Sequence, residues 1–461
     1  MKSLILDKIN QFLATIQDFT APLRENSSII KNIEDLEFIL ISILLIMSTF
    51  VQSNTLGSIA FAIILVSLVK HLLIKGEKFL LTNADGALII FLLLLIFCTF
   101  NSTLPAQSFT GLIKYLIYIG YYFAIIPMFR KRRKKVLWII LLIAGLCSIE
   151  SFYALLQSNN VMAGATWQDT SYVNPEHIIS RVYGTLKPYN PNLLAGYLIA
   201  CLPAVIGVTL LTVEKRYRKS LIIAIFAMIV SLMAIFQTGC RGAYLALIGI
   251  FATYLLISYR IVFYDFAAFA YLKKLWINLT VSLATVGAVA LACMPKIWHR
   301  LISIFLLRGD SSTSFRMNVY ESSTKMFFDN PLFGIGLGNQ TFREVYGFYM
   351  KTGFDALGAY SVPLEIAVET GIFGFLAFFT FIILMLINGA KYIYQDQSIR
   401  GKIYVAICIS SITGLMAHGL FDTIFFRPQV QFIFWTMMAL LNGTLSRKEI
   451  IDYEKDKLKL V

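Results

Sequence analysis

Charged side chains are scarce in this chain. Asp, Glu, Lys and Arg make up 14% of the 461 residues and 58% are hydrophobic, against about 25% and 45–50% in ordinary soluble domains. So few charges exclude a soluble multidomain enzyme and leave a lipid bilayer as the solvent. Histidine is limited to 4 residues, and no His or Cys set has ligand spacing, so the sequence offers neither a metal site nor a cofactor. There is also no C-x-x-C pair. The six cysteines (Cys98, Cys147, Cys201, Cys240, Cys293, Cys408) fall in or at the ends of apolar runs and read as small core residues, not a disulfide framework. No residue-level repeat is present. The first 36 residues carry Asp7, Asp18, Glu25, Glu34 and Asp35, which is unlike a signal peptide and predicts a cytoplasmic amphipathic segment.

What is present is a series of apolar runs. Crossing about 30 Å of hydrocarbon at 1.5 Å per residue needs about 17 to 23 residues. That criterion predicts an all-α polytopic membrane protein of about twelve spans, near 37–53, 56–73, 86–104, 111–128, 136–157, 191–213, 220–237, 242–258, 275–294, 366–389, 403–425 and 430–446. A transmembrane domain over 37–446 is flanked by the N-terminal segment 1–36 and a tail over 447–461.

The net charge of +14 follows this topology. Arg130-Lys131-Arg132-Arg133-Lys134-Lys135 marks one loop as cytoplasmic, and counting every second loop from it collects 28 of the 40 basic residues. Both termini are then predicted cytoplasmic in a bacterial inner membrane, with the two longest loops, about 158–190 and 295–365, outside. The basic excess is thus a topology signal with some attraction to anionic lipid, and a nucleic-acid partner is not expected.

Three polar places stand out. Arg241 lies in the tight external turn Gln237-Thr238-Gly239-Cys240-Arg241-Gly242, where it either snorkels to the interface or presents a guanidinium to a phosphate. The external loop carries Arg308, Asp310 and, from Ser314 to Phe328, apolar residues at helical spacing behind a Ser/Thr run suited to an N-cap. A surface helix and a turn at Asn330-Pro331 are expected there, followed by Gly334-Ile335-Gly336-Leu337-Gly338-Asn339. That glycine run follows no strand and precedes no G-K-[ST], so it is irregular packing and not a nucleotide loop. Finally, His418 and Asp422, spaced i, i+4, are predicted on one face of a helix, with Arg427 beyond them.

Arg241-Gly242-Ala243, Phe315-Arg316, Asn330-Pro331-Leu332-Phe333-Gly334-Ile335-Gly336, Pro363-Leu364-Glu365 and Val368-Glu369-Thr370-Gly371-Ile372-Phe373-Gly374 together resemble the O-antigen ligase and polymerase superfamily over about residues 190–440. Arg181-Val182-Tyr183-Gly184, Asn190-Pro191-Asn192, Ala359-Tyr360-Ser361 and His418-Gly419-Leu420-Phe421-Asp422-Thr423 look closest to its cyanobacterial branch of bicarbonate transporters. The resemblance implies a metal-independent, inverting glycosyltransferase. It would move a glycan from a polyprenyl diphosphate carrier to the hydroxyl of a glycan or lipid acceptor on the external face.

On that basis Arg241 and Arg316 bind the diphosphate. The family's histidine falls at Tyr360, and a phenol of pKa near 10 is a poor base at neutral pH, so either another group such as Glu365, Glu369 or Asp310 is the base or the acceptor needs less help. Arg241, Arg316, Tyr360, Glu365 and Glu369 are the expected catalytic set. Arg308, Asp310, Asn339, His418, Asp422 and Arg427 are the expected substrate contacts. The alternative is a bicarbonate transporter with His418 and Asp422 along its path. Transporters break helices at the midplane, whereas the breaks expected here, at Pro191, Asn330-Pro331 and Pro363, lie in or beside external loops.

Overall fold

The computed structural model describes residues 2–20, 32–158 apart from 52 and 75–79, 167–168, 180–265 apart from 215–216, and 311–446 apart from 352 and 396–397, with scattered residues of 22–30 and 270–285. These residues are overwhelmingly helical. The amphipathic α1 (Lys2–Phe19) precedes α2 (Ile33–Met47), α3 (Ser53–Leu73), α4 (Asn83–Phe100), α5 (Pro105–Lys131) and α6 (Arg133–Ser158). A two-residue antiparallel pairing of Trp167–Gln168 with Ser180–Arg181 leads to α7 (Pro191–Glu214), α8 (Arg218–Gln237) and α9 (Arg241–Arg260). Then come α10 (Ser311–Asp329), α11 (Asn339–Tyr346), α12 (Val362–Tyr394), α13 (Ile399–Gly419) and α14 (Pro428–Leu445). Among the described residues, nine helices are long and apolar enough to cross a membrane.

The apolar runs therefore do form the expected helices, with changes at the ends. The first predicted span becomes α2, which at 15 residues is short for a crossing. The last becomes the 18-residue α14, buried in the bundle from Gln429 to Gly443 and packed on α5 and α13. The span expected at 275–294 falls largely outside the described residues. That expected at 403–425 stops at Gly419, because the chain turns before Pro428 opens the next helix.

Beside the membrane bundle sits a second, smaller apolar core. In α10 the buried positions Val319, Ser322, Ser323 and Met326 recur at i, i+3, i+4 and i+7, one stripe of a surface helix. Val319 and Met326 join Ile335, Phe342, Val345, Tyr346, Ala356, Ala359 and Val368. The surface helix expected over 314–328 is thus present, and it caps one end of the bundle together with α11.

The cap is sewn into a broken helix. Gly371 inside α12 has φ +64° and ψ −171°, which interrupts the ladder and frees backbone groups that a membrane interior cannot leave unpaired. The 331–336 loop supplies their partners. Ile335 N–H donates to the Val368 carbonyl at 2.9 Å, Gly336 N–H to that of Glu369 at 3.2 Å, and Ile372 N–H to that of Pro331 at 2.8 Å. A Cβ on Gly371 would lie 2.2 Å from the Leu332 backbone, and one on Gly336 2.0 Å from the Ser102 hydroxyl. The glycine run is close packing, as the sequence suggested.

At the other end of the bundle, Arg132 pairs with Glu34 at 2.8 Å and Lys135 with Asp35 at 2.9 Å. Nearby, Asp85 accepts from the Tyr122 hydroxyl (2.7 Å) and the Asn442 amide (2.9 Å), which ties α4, α5 and α14 together with every partner buried.

Gly371→Ala is expected to lower the melting temperature of the detergent-solubilised protein markedly, because it combines the strain of a backbone conformation open essentially to glycine alone, about 1–3 kcal/mol, with a backbone clash. Gly145→Ala in α6, where a Cβ meets nothing within 4 Å, is expected to leave it unchanged or raise it. Equal melting temperatures for the two variants would contradict this reading of the break.

Candidate functional site

Opposite the Arg130–Lys135 cluster, polar side chains from five segments meet. α7 begins there with Asn192, α8 ends at Gln237, α9 begins at Arg241, and α13 ends just before Asp422. The surface helix α10 lies against them with Arg316.

Asp422 is the centre of the cluster. It is 3% exposed, and its Oδ2 is 3.2 Å from the Arg316 guanidinium and accepts from the Asn192 amide at 3.0 Å. Its Oδ1 accepts from Ile424 N–H at 3.2 Å. Asn192 in turn receives a short hydrogen bond from Arg181, whose Nε donates to the Thr238 carbonyl at 2.6 Å. A chain of charge-assisted hydrogen bonds thus runs from the α8–α9 turn to the surface helix. A buried carboxylate so engaged is satisfied on both oxygens.

Arg241 reaches the same surface helix. Its Nη1 donates to the Thr313 hydroxyl at 3.1 Å, and Thr313 stands one turn from Arg316, where side chains at i and i+3 are neighbours. The two arginines of the predicted pair are therefore delivered to one turn of α10. Gly239 makes this possible with φ +61°, its bare Cα facing the Arg181 side chain.

Tyr360 lies under Arg316, with the guanidinium 5.8 Å from the ring centre, and meets the Phe315 ring edge-on at 5.5 Å. It is one of two non-glycine residues with positive φ among the described residues, at +53°. The conformation is held from both sides. The Tyr320 hydroxyl donates to the Tyr360 carbonyl at 3.1 Å, and the flanking Ser361 is the N-cap of α12. Burial raises the Tyr360 pKa above its usual value, the Asp422 charge raises it further, and Arg316 and Arg427 partly oppose the rise. The phenol is therefore neutral at pH 7 and is no general base. It can steady the cation through its ring face.

The remaining predicted residues separate by position. Glu365 and Glu369 are buried, at 2% and 3% exposure, in the first turns of α12. Glu365 accepts from Ala359 N–H at 3.0 Å and Glu369 from Gly338 N–H at 2.8 Å, so both hold the loops of the cap. His418 is buried beside Cys240, its Nε2 3.4 Å from the sulfur. The expectation that His418 and Asp422 share a helical face is corrected: α13 ends at Gly419, so Asp422 sits in the turn beyond it and points to Arg316. Arg427 is exposed at the start of α14. Asn339 opens α11 on the surface and bonds the Leu357 carbonyl at 2.6 Å. Arg308 and Asp310 lie outside the described residues. No group of three or more metal-ligating side chains occurs among the described residues.

Arg181, Asn192 and Thr313 belong to the cluster without having been assigned a role from sequence. The R-V-Y-G and N-P-N motifs flagged the first two, while a lone threonine in a Ser/Thr run gives no signal.

With this geometry in place, residues 226–379 match the O-antigen ligase family, Wzy_C. The match supports the O-antigen ligase superfamily. It runs from α8 into α12 and takes in Arg241, Arg316, Tyr360, Glu365 and Glu369, while Arg181, Asn192, Asp422 and Arg427 lie beyond it. No curated protein matches the chain.

Tyr360 supplies a test with an unusual sign. Tyr360→Ala removes the ring and keeps the left-handed strain, whereas Tyr360→Gly removes both. The glycine variant is expected to be the more stable of the two by about 1 kcal/mol, read as melting temperature. The reverse order, normal at most sites, would contradict the strained placement.

Proposed function

We propose that the protein is a membrane glycosyltransferase of the O-antigen ligase type, moving a glycan from a polyprenyl diphosphate carrier to an acceptor hydroxyl at the external face. The observation that carries this reading is the delivery of Arg241 and Arg316 to one turn of α10 beside the Asp422 carboxylate.

Glycosyl transfer from a diphosphate needs little covalent help from protein. The acceptor oxygen attacks the anomeric carbon from the face opposite the leaving group, and the bond to the diphosphate oxygen breaks with inversion. Negative charge builds on the departing diphosphate, where Arg241 and Arg316 stabilise it by bidentate hydrogen bonds. The acceptor proton passes to a carboxylate. Of the carboxylates placed in the structure, we assign this to Asp422, because it pairs directly with Arg316, the residue the diphosphate would engage, whereas Glu365 and Glu369 hold the loops of the cap. The diphosphate competes for Arg316 and so frees an oxygen of the Asp422 carboxylate to accept that proton. Tyr360 positions Arg316. Arg427 and Asn339 lie at the exposed margin, suited to the saccharide or the acceptor.

Orientation rests on charge. The site occupies the end of the bundle away from the Arg130–Lys135 cluster, and we assign that cluster and both termini to the inside and the site to the outside, as the positive-inside rule favours. We assign residues 1–36 and 447–461 to the cytoplasmic side and 37–446 to the transmembrane domain of a bacterial inner membrane protein. The placement of the helix breaks favours transfer over bicarbonate transport: the interruption at Gly371 is filled by protein backbone of the 331–336 loop, not left to line a path.

In membranes given an undecaprenyl-diphosphate-linked glycan, Arg241→Ala and Arg316→Ala are each expected to lower the transfer rate by about 10²–10³ while the protein remains in the membrane. Asp422→Asn is expected to abolish transfer. Wild-type transfer in both arginine variants would sink the proposal. Bicarbonate uptake by wild-type proteoliposomes that is lost in Asp422→Asn would establish transport in its place.

A further inference from the structure

A cavity of about 540 Å³ opens at the same end of the bundle. It is lined by Phe50, Tyr153, Gln157, Tyr183, Gly184, Thr185, Lys187 and Tyr189. Its volume lies within the range of about 300–1,000 Å³ typical of small-molecule sites. Nothing in the superfamily match touches it, since all eight residues precede position 226.

The cavity is firmly built. Gln157, at 1% exposure, accepts from the N–H groups of Tyr183 (3.0 Å) and Gly184 (3.2 Å). Thr185 N–H donates to Glu150 at 3.1 Å, the Thr185 hydroxyl donates to the same carboxylate, and the Gln429 amide donates to the Lys187 carbonyl at 2.9 Å. The 182–189 segment is thereby fixed against α6 and α14, with the Tyr183 and Tyr189 rings 5.5 Å apart. Tyr189 is 47% exposed with φ +56°, a large ring turned outward in a conformation that costs about 1 kcal/mol.

We propose that this cavity is a saccharide subsite. A pyranose ring has apolar C–H faces and a rim of hydroxyls. Three tyrosines and a phenylalanine offer flat apolar surface with phenol groups at its edge, and the Lys187 ammonium and the Thr185 hydroxyl oxygen offer a donor and an acceptor for the rim. A polyprenyl tail would leave these polar groups buried against hydrocarbon. A diphosphate is better matched by the arginines of the cluster. The two sites share one strand of chain: Arg181 and Asn192, which belong to the Asp422 cluster, flank the segment that carries Tyr183 and Tyr189. A glycan held here would thus lie on the chain segment whose two ends carry Arg181 and Asn192. The inference rests on the glycosyltransferase reading and adds to it where the sugar is held.

The test uses the full-length protein in nanodiscs and two radiolabelled probes. One is the soluble glycan released by mild acid from the lipid-linked saccharide fraction of the cells that naturally make the protein. The other is undecaprenyl diphosphate without sugar. Tyr153→Ala with Tyr189→Ala is expected to weaken glycan binding about tenfold or more and to leave undecaprenyl diphosphate binding unchanged. Tyr153→Phe with Tyr189→Phe, which keeps the rings, is expected to retain most glycan binding. Arg241→Ala with Arg316→Ala is expected to do the converse, losing the diphosphate and keeping the glycan. Unaltered glycan binding in the double alanine variant overturns the subsite while leaving the parent reading standing on its arginine-dependent diphosphate binding. Failure of the wild-type protein to bind either probe overturns both.

Discussion

Arg316 and Asp422 stand 106 positions apart in the chain, one on a surface helix and one in a turn between two buried helices, and their ion pair joins the cap to the bundle. Neither side chain is fully exposed, at 18% and 5%, so the pair is not one of the solvent-screened contacts that contribute little. Removing one partner would strand the other charge at the lip of a hydrophobic bundle. Asn192, Arg181, the Thr238 carbonyl and the Tyr360 ring all connect through this pair. Its geometry sets where the Arg316 guanidinium is held, and the same contact keeps Arg316 engaged when no anionic ligand competes for it.

The cap itself depends on the break in α12. A continuous helix through Gly371 would satisfy its own backbone and give the 331–336 loop nothing to bond. The interrupted one exposes carbonyls at Val368 and Glu369 that the loop answers. The buried Glu369 fixes Gly338, and Glu365 fixes Ala359 immediately before Tyr360. The two carboxylates therefore act on the site through the loops that shape it.

How much of this could be read in advance divides along physical lines. The bilayer imposes a length and polarity on each crossing, so helices such as α7, α8 and α13 were legible as apolar runs. Phe315, Val319, Met326 and Phe327, apolar residues near helical spacing, made α10 legible, whereas the buried Ser322 and Ser323 of the same stripe gave no such signal. Arg241 and Arg316 were legible through motif resemblance. Helix ends were less so: the apolar residues Leu420 and Phe421 extend the run past Gly419, which hid the turn in which Asp422 sits. The contact from Asn192 to Asp422 spans 230 positions with no periodic trace, and the positive φ of Tyr360 is not written in any residue type. The saccharide subsite follows from the convergence of α6 with the 182–189 segment, which only the folded chain displays.

The central claim is that Asp422 and a diphosphate compete for Arg316. The affinity of undecaprenyl diphosphate for Asp422→Asn in nanodiscs tests it most directly, because this variant removes a negative charge while preserving side-chain shape. If the carboxylate occupies the donor's place on the guanidinium, the variant binds undecaprenyl diphosphate several-fold more tightly than wild type. Binding weakened to the level of Arg316→Ala would contradict the account.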